Sequence, residues 1–186
     1  MEKKVCFIGH RNVPDTAALR EKIRETVGRL ITEEKVTCFL FGSRSAFDSL
    51  CHDVVTELQE AYPAIRRVVY TCRHECATMK EDKAAEEQAW SRILKRPVRI
   101  RDYDAEYEHP TKYIAGKAGY VERNQAMIND SDICVFYFDD TSLPARRKGG
   151  SDFLPDRQPK SGTAVAYKYA VQKKKVIISL CGTTAK

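Results

Sequence analysis

No run of about 20 apolar residues, the length needed to cross a membrane as a helix, occurs anywhere in the 186 residues. The opening Met-Glu-Lys-Lys-Val lacks the apolar core and small-residue cleavage site of a secretory signal and leads straight into a strand pattern. A soluble, cytoplasmic protein with no membrane partner is expected. A disulfide framework is missing too. The seven cysteines are odd in number, the chain is not small, and Cys6, Cys38, Cys134 and Cys181 lie in or beside apolar runs, where cysteine behaves as a small hydrophobe. They are expected to stay reduced. Cys72-Arg73-His74-Glu75-Cys76 offers soft donors at close spacing, but a closed zinc site needs a complete tetrahedral set and no second cluster supplies the rest. Neither a metal nor a cofactor is expected. Nothing in the sequence pairs a nucleophile with a base and an orienting group, and there is no internal repeat. The net charge of +6 is spread along the chain and is dense only at Arg146-Arg147-Lys148 and Lys173-Lys174-Lys175. Such a balance suits a small anionic ligand and argues little for nucleic acid.

Against these absences stand five short β-rich apolar runs, at residues 4–9, 36–41, 65–71, 133–138 and 176–180, separated by helical patterns. Strands of this kind alternating with helices predict a Rossmann-like, doubly wound α/β fold. Its sheet is mainly parallel, with five strands or slightly more, and has helices on both faces and a ligand site beyond the carboxyl ends of the strands. Residues 1–186 are read as one domain. Helical spacing is clear over 16–34, where Leu19, Ile23, Val27, Leu30 and Ile31 share a face, and again after Ser45, where Phe47, Leu50, Cys51, Val54, Val55 and Leu58 do. Residues 73–96 read as a mostly exposed helix. A short run at 98–103 precedes an aromatic, charged loop containing Tyr107, His109 and Tyr113, and a further helix covers about 119–129. The segment 141–160, rich in proline and in charges of both signs, is expected to be a mobile loop able to close over a site.

Three loops carry the parts of an anion cradle. Phe41-Gly42-Ser43-Arg44-Ser45 places a glycine, hydroxyls and a cation between a strand end and a helix start, with Ser45 as cap and Asp48 three residues on, as in a capping box. Ser161-Gly162-Thr163 opens a second helix in the same way. Gly9-His10-Arg11 ends the first strand, where the missing side chain of Gly9 would let a nucleotide approach the backbone. In the helix near 120, positions 120, 121, 124, 127 and 128 share a face. Asn124 therefore falls on an otherwise apolar stripe, while Glu122 and Arg123 point elsewhere and are free to reach a ribose or phosphate. Tyr103, Tyr107, Tyr113 and Tyr120 near Lys112 and Lys117 have the composition of a stacking surface for single-stranded nucleic acid, but packing around an extended loop is the preferred reading of them.

Taken in order, Phe7-Ile8-Gly9-His10-Arg11, Phe41-Gly42-Ser43-Arg44-Ser45-Ala46-Phe47-Asp48, Val121-Glu122-Arg123-Asn124-Gln125-Ala126-Met127-Ile128 with Ser131-Asp132, and Ser161-Gly162-Thr163 resemble the SLOG superfamily. That Rossmann-like group includes the LOG phosphoribohydrolases and the Smf/DprA proteins, and the nearest likeness is to its stand-alone YpsA-like branch. The resemblance implies a nucleotide or nucleotide-derived ligand between the glycine loops, held by Gly9, His10, Arg11, Gly42, Ser43, Arg44, Asp48, Arg123, Asn124, Ser161, Gly162 and Thr163. In the LOG enzymes a glutamate in the second glycine-rich element supplies the acid for N-glycosidic cleavage; Ala166 stands at that position here. The sequence thus reads first as a sensor or sequestering protein for an ADP-ribose-type or cyclic-nucleotide signal. One alternative is a nucleotide hydrolase with a displaced catalytic acid, Asp48 or Glu122; another is a single-stranded nucleic-acid binding protein. A homo-oligomer completes the expectation; the apolar, small-residue helix that follows Thr163 has the composition to pack either between subunits or against the sheet.

Overall fold

The five apolar runs pair side by side in parallel, and a sixth strand joins them at one edge. A computed structural model describes residues 2–42, 45–73, 83–94, 101–113, 116–139 and 161–181. In chain order its elements are β1 (Lys3–Gly9), α1 (Ala17–Thr32), β2 (Val36–Gly42), α2 (Ala46–Ala61), β3 (Arg66–Cys72) and α3 (Lys83–Leu94). They continue with β4 (Ala105–His109), α4 (Lys117–Asp130), β5 (Ile133–Tyr137), α5 (Gly162–Gln172) and β6 (Val176–Ser179). The strand order is β4-β3-β2-β1-β5-β6, parallel throughout. From β1 the chain steps outward to β4, then returns through α4 to lay β5 on the other side of β1. The order reverses between β1 and β5, which is where an open α/β sheet forms its crevice.

Alternation along each strand divides the core into two layers. Val5, Phe7, Phe39, Phe41, Val69 and Val135 pack against α1 and α2. Cys6, Ile8, Cys38, Leu40, Val68, Cys134 and Phe136 turn the other way, toward α4 and α5. The Phe7 ring stacks on Phe39 and Phe41 with centroids 5.9 and 5.2 Å away. Burying a side chain of this size contributes roughly 1.5–3 kcal/mol. Within the described residues no helix is long and apolar enough to cross a membrane.

The sixth strand, β4, differs from the expectation of a loop at Tyr107 and His109. Its sequence, Ala-Glu-Tyr-Glu-His, has no apolar run because it is an edge strand with only β3 beside it. Pairing with β3 holds it, helped by the Tyr107 ring 4.8 Å from that of Tyr70 and by the Thr71 hydroxyl donating to Glu106 at 3.2 Å. Charges on such an edge discourage pairing with other chains. Of the short run before it, residues 98–100 lie outside the described residues, and Arg101, Asp102 and Tyr103 form irregular chain entering β4.

One packing contact sets the tip of β1. A Cβ added to Gly9 would fall 2.4 Å from Cγ and Cδ1 of Phe47 and 2.6 Å from its Cβ, and Phe47 is itself fully buried. Gly9→Ala is therefore expected to lower stability by about 2–3 kcal/mol in urea unfolding, as overpacked core sites do. Adding Phe47→Leu should recover part of the loss. A Gly9→Ala protein as stable as the wild type would show that Phe47 moves aside freely.

Candidate functional site

Beyond the carboxyl ends of β1, β2 and β5, the loops converge as the fold requires, and each carries a different duty. The space that Gly9 leaves is filled by Phe47, so the expectation that a nucleotide uses that opening is corrected: the glycine is required by packing. Its carbonyl accepts a hydrogen bond from the Thr163 hydroxyl at 3.0 Å, which docks the start of α5 on the tip of β1. His10 donates its amide to Tyr137 O at 3.2 Å, and its Nε2 lies 3.0 Å from the amide nitrogen and 3.2 Å from the carbonyl oxygen of Asp139. The ring also leans on Phe138, with centroids 5.8 Å apart. His10 thus latches the exit of β1 to the exit of β5. The Arg11 side chain is exposed, and its carbonyl accepts the Ala46 amide at 3.1 Å.

The start of α2 is largely satisfied by the protein itself. Ser45 Oγ accepts the Asp48 amide and donates to Asp48 Oδ2, both at 2.9 Å, and the Ser49 amide donates to Ser45 O at 3.1 Å. The other carboxyl oxygen of Asp48 accepts the Gly42 amide at 3.3 Å. Asp48 therefore does more than cap the helix: it ties α2 back to the last residue of β2. Burial pushes its carboxyl up to about 7, opposed first by the positive charge of Arg123 and then by the Ser45 and Gly42 hydrogen bonds. Ser43 and Arg44, also expected in this cradle, lie outside the described residues.

Helix α4 corrects the expected stripe. Its buried residues are Gly119, Arg123, Ala126, Met127 and Ile128, so the polar group on the apolar face is Arg123, while Asn124 sits at its margin. Gly119 and Ala126 weigh little in a hydrophobic pattern, yet both are buried. The Arg123 guanidinium then lies over Gly42, where a Cβ would be 2.9 Å from Nη2. Nη2 donates to Asn124 Oδ1 at 3.2 Å, and the guanidinium carbon stands 5.1 Å from the Tyr120 ring centre. Glu122 accepts the Tyr113 amide at 3.4 Å and so braces the loop after β4.

At the start of α5, Ser161 Oγ accepts the Ala164 amide at 3.0 Å, and Thr163 is buried. Gly162 is different: among the described residues, no atom beyond its chain neighbours and its own helix backbone lies within 4 Å of where its Cβ would be. Ala166 is buried in the core beside Phe136, so no carboxylate stands at that turn of the helix. The aromatic cluster separates. Tyr103 is buried on the α2 side against His52 and Phe41, whereas Tyr107 belongs to the opposite face with Tyr70, because one precedes β4 and the other alternates within it. Cys72 ends β3 as a buried thiol; His74, Cys76 and the loop at 141–160 lie outside the described residues.

Sequence reasoning missed His52, which is buried one turn after Asp48 and donates through Nε2 to Asp102 O at 2.6 Å. The spacing of the two on α2 was the available signal. Since the Asp48 carboxyl is raised in the folded protein, the native state keeps a proton that the unfolded chain releases between about pH 4 and pH 7. Stability should fall as pH rises through that window. Asp48→Asn keeps an acceptor for Gly42 and should flatten the dependence, which urea midpoints at pH 5 and pH 8 will test. Equal pH slopes in both proteins would remove the buried carboxyl as the cause.

The family model described as YspA SLOG matches residues 6–167. No curated protein matches the chain. Among solved structures, TM1055 is 16% identical with a TM-score of 0.53, covering 98% of this chain and 76% of its own. The molybdenum cofactor carrier protein MCP from Chlamydomonas reinhardtii is 11% identical with a TM-score of 0.51, covering 96% of this chain and 76% of its own. Likeness at that identity speaks to the fold, which is the Rossmann-like α/β arrangement described above. The family match runs from within β1 into α5 and takes in the Gly9, Gly42, Arg123 and Gly162 loops in their order, and on it the chain belongs to the YspA SLOG family.

Proposed function

We propose that the protein binds a small nucleotide or nucleotide-derived anion at the carboxyl ends of β1, β2 and β5 and holds it as a cytoplasmic sensor or sequestering protein. The observation that carries this reading is the start of α5. Thr163 fixes it on the tip of β1, at the reversal of strand order, and among the described residues nothing outside the start of α5 crowds Gly162, at a helix end whose amides favour an anion. Arg123, across Gly42, adds positive charge to the same end of the sheet. Ala166 in the core favours holding over cleavage, since the turn where a LOG enzyme keeps its acid has none. A carrier protein with the same fold, the molybdenum cofactor carrier, is consistent with a small ligand held intact. An ADP-ribose-type or cyclic-nucleotide signal is the ligand class proposed.

Mass spectrometry of small molecules released on heating the purified protein tests the reading directly. An intact nucleotide that is returned unchanged after incubation is the expected result. Gly162→Glu should leave the melting temperature unchanged or slightly raised, because a carboxylate suits a helix start, while ligand retention drops at least about tenfold from like-charge repulsion. Unaltered retention in that variant would move the site away from α5.

The raised carboxyl of Asp48 supports a second reading, a hydrolase of N-glycosidic bonds using Asp48 in place of the family acid. A free base or sugar phosphate accumulating with turnover, and lost in Asp48→Asn with binding intact, would establish it. Self-association is part of the first proposal, through the surface of α5 and β6 where Val171 and Val176 are exposed. Light scattering should report more than one copy, and a monodisperse monomer at working concentration would remove that part.

A further inference from the structure

Asp48 and Arg123 come from helices on opposite faces of the sheet, and they meet only past the end of β2. Gly42 stands between them: its amide donates to Asp48, and the empty place of its side chain is occupied by the Arg123 guanidinium. From this cluster we infer that the Asp48–Arg123 pair couples anion binding at the tip of β2 to uptake of a proton by Asp48. The inference rests on the ligand-binding reading above and adds to it a direction of regulation, tighter holding in acid.

The surroundings leave Arg123 as the main lever. Among the described residues, Arg101, on the chain entering β4, is the other cation that acts on Asp48, and more weakly. The remaining described groups that act on it carry no charge at neutral pH: burial pushes up the Cys51 thiol on α2, the Cys6 thiol on β1 and the Tyr103 hydroxyl before β4. His52, one turn along α2, is held by the Asp102 carbonyl, with Asp53 and Arg101 beyond it. An anion seated against Arg123 shares the charge that keeps Asp48 ionised and adds negative charge beside it. Both effects favour the protonated acid. By linkage the proton must tighten the anion in return. If the anion raises the Asp48 carboxyl by about one unit from its value of about 7, affinity changes roughly fivefold between pH 8 and pH 6.

Sulfate serves as the probe, because it remains a dianion across this range and any titration then belongs to the protein. Calorimetric titration of the wild-type protein at constant ionic strength, at pH 6 and pH 8 and in two buffers of different ionisation heat, should show roughly fivefold tighter binding at pH 6 and net proton uptake. In Asp48→Asn the pH dependence should vanish. The buffer comparison needs no variant, so absence of proton uptake there overturns the coupling even where Asp48→Asn fails to fold, and uptake that is lost in Asp48→Asn assigns the proton to Asp48. Sulfate binding without pH dependence or proton uptake would overturn the coupling and leave the ligand-binding reading standing. If sulfate fails to bind at either pH while a nucleotide co-purifies, the coupling alone falls; if neither binds, both readings fall together.

Discussion

The Phe47 ring lodged in the space left by Gly9 is the contact on which the site depends. It presses the start of α2 against the tip of β1, and it does so only because the last residue of that strand has no side chain. The same ring lies 6.5 Å from Phe7 and 5.6 Å from Tyr137, so β1, β5 and α2 share one aromatic junction. From that junction the hydrogen bonds radiate: Arg11 to Ala46, His10 to Tyr137 and Asp139, Thr163 to Gly9. Each is modest alone, at about 1 kcal/mol, yet together they hold the loops in register with a rigid core.

Gly42 plays a similar part for charge. Beside it a carboxyl and a guanidinium are taken almost entirely out of water, an arrangement whose desolvation offsets much of the attraction between them. A fold that needed only stability would do better with two packed hydrophobes there. Retaining the pair beside the crevice makes sense if the protein uses the sensitivity of buried charges to what arrives next to them. The two glycines therefore have contrasting neighbours, an apolar ring at β1 and a carboxyl and a guanidinium at β2, although in the sequence each simply ends an apolar strand.

Much of this was legible in the residues. The central strands announced themselves through unbroken apolar runs, as strands buried on both faces must, and the helices α1 and α2 through their periodicity. Strand β4 was not legible, because an edge strand rich in glutamate obeys no such pattern until β3 is beside it. The buried stripe of α4 was misjudged for a related reason. Gly119 and Ala126 are buried while adding little to a hydrophobic pattern, and only the empty space above Gly42 shows that Arg123 fits there. Asp48 was legible as part of a cap from its spacing to Ser45, but the cations that act on it, Arg123 and Arg101, are distant in sequence. The loops could be located at the strand ends from the sequence; the differing surroundings of Gly9, Gly42 and Gly162 needed three dimensions.

The central position of β1 has a consequence for how the chain is made. One flank of this strand is covered early by β2, but the other pairs with β5, with Val5 set against Ile133 and Phe7 against Val135. At cellular synthesis rates of about 5–20 residues per second, that second flank stays open on the order of ten seconds after β1 leaves the ribosome. The strand that anchors the crevice is thus made before the other described strands of the sheet and is among the last to be enclosed. During that interval the nascent chain presents an apolar strand with unpaired backbone, and until α4 and α5 are made the half of the core that they cover cannot close.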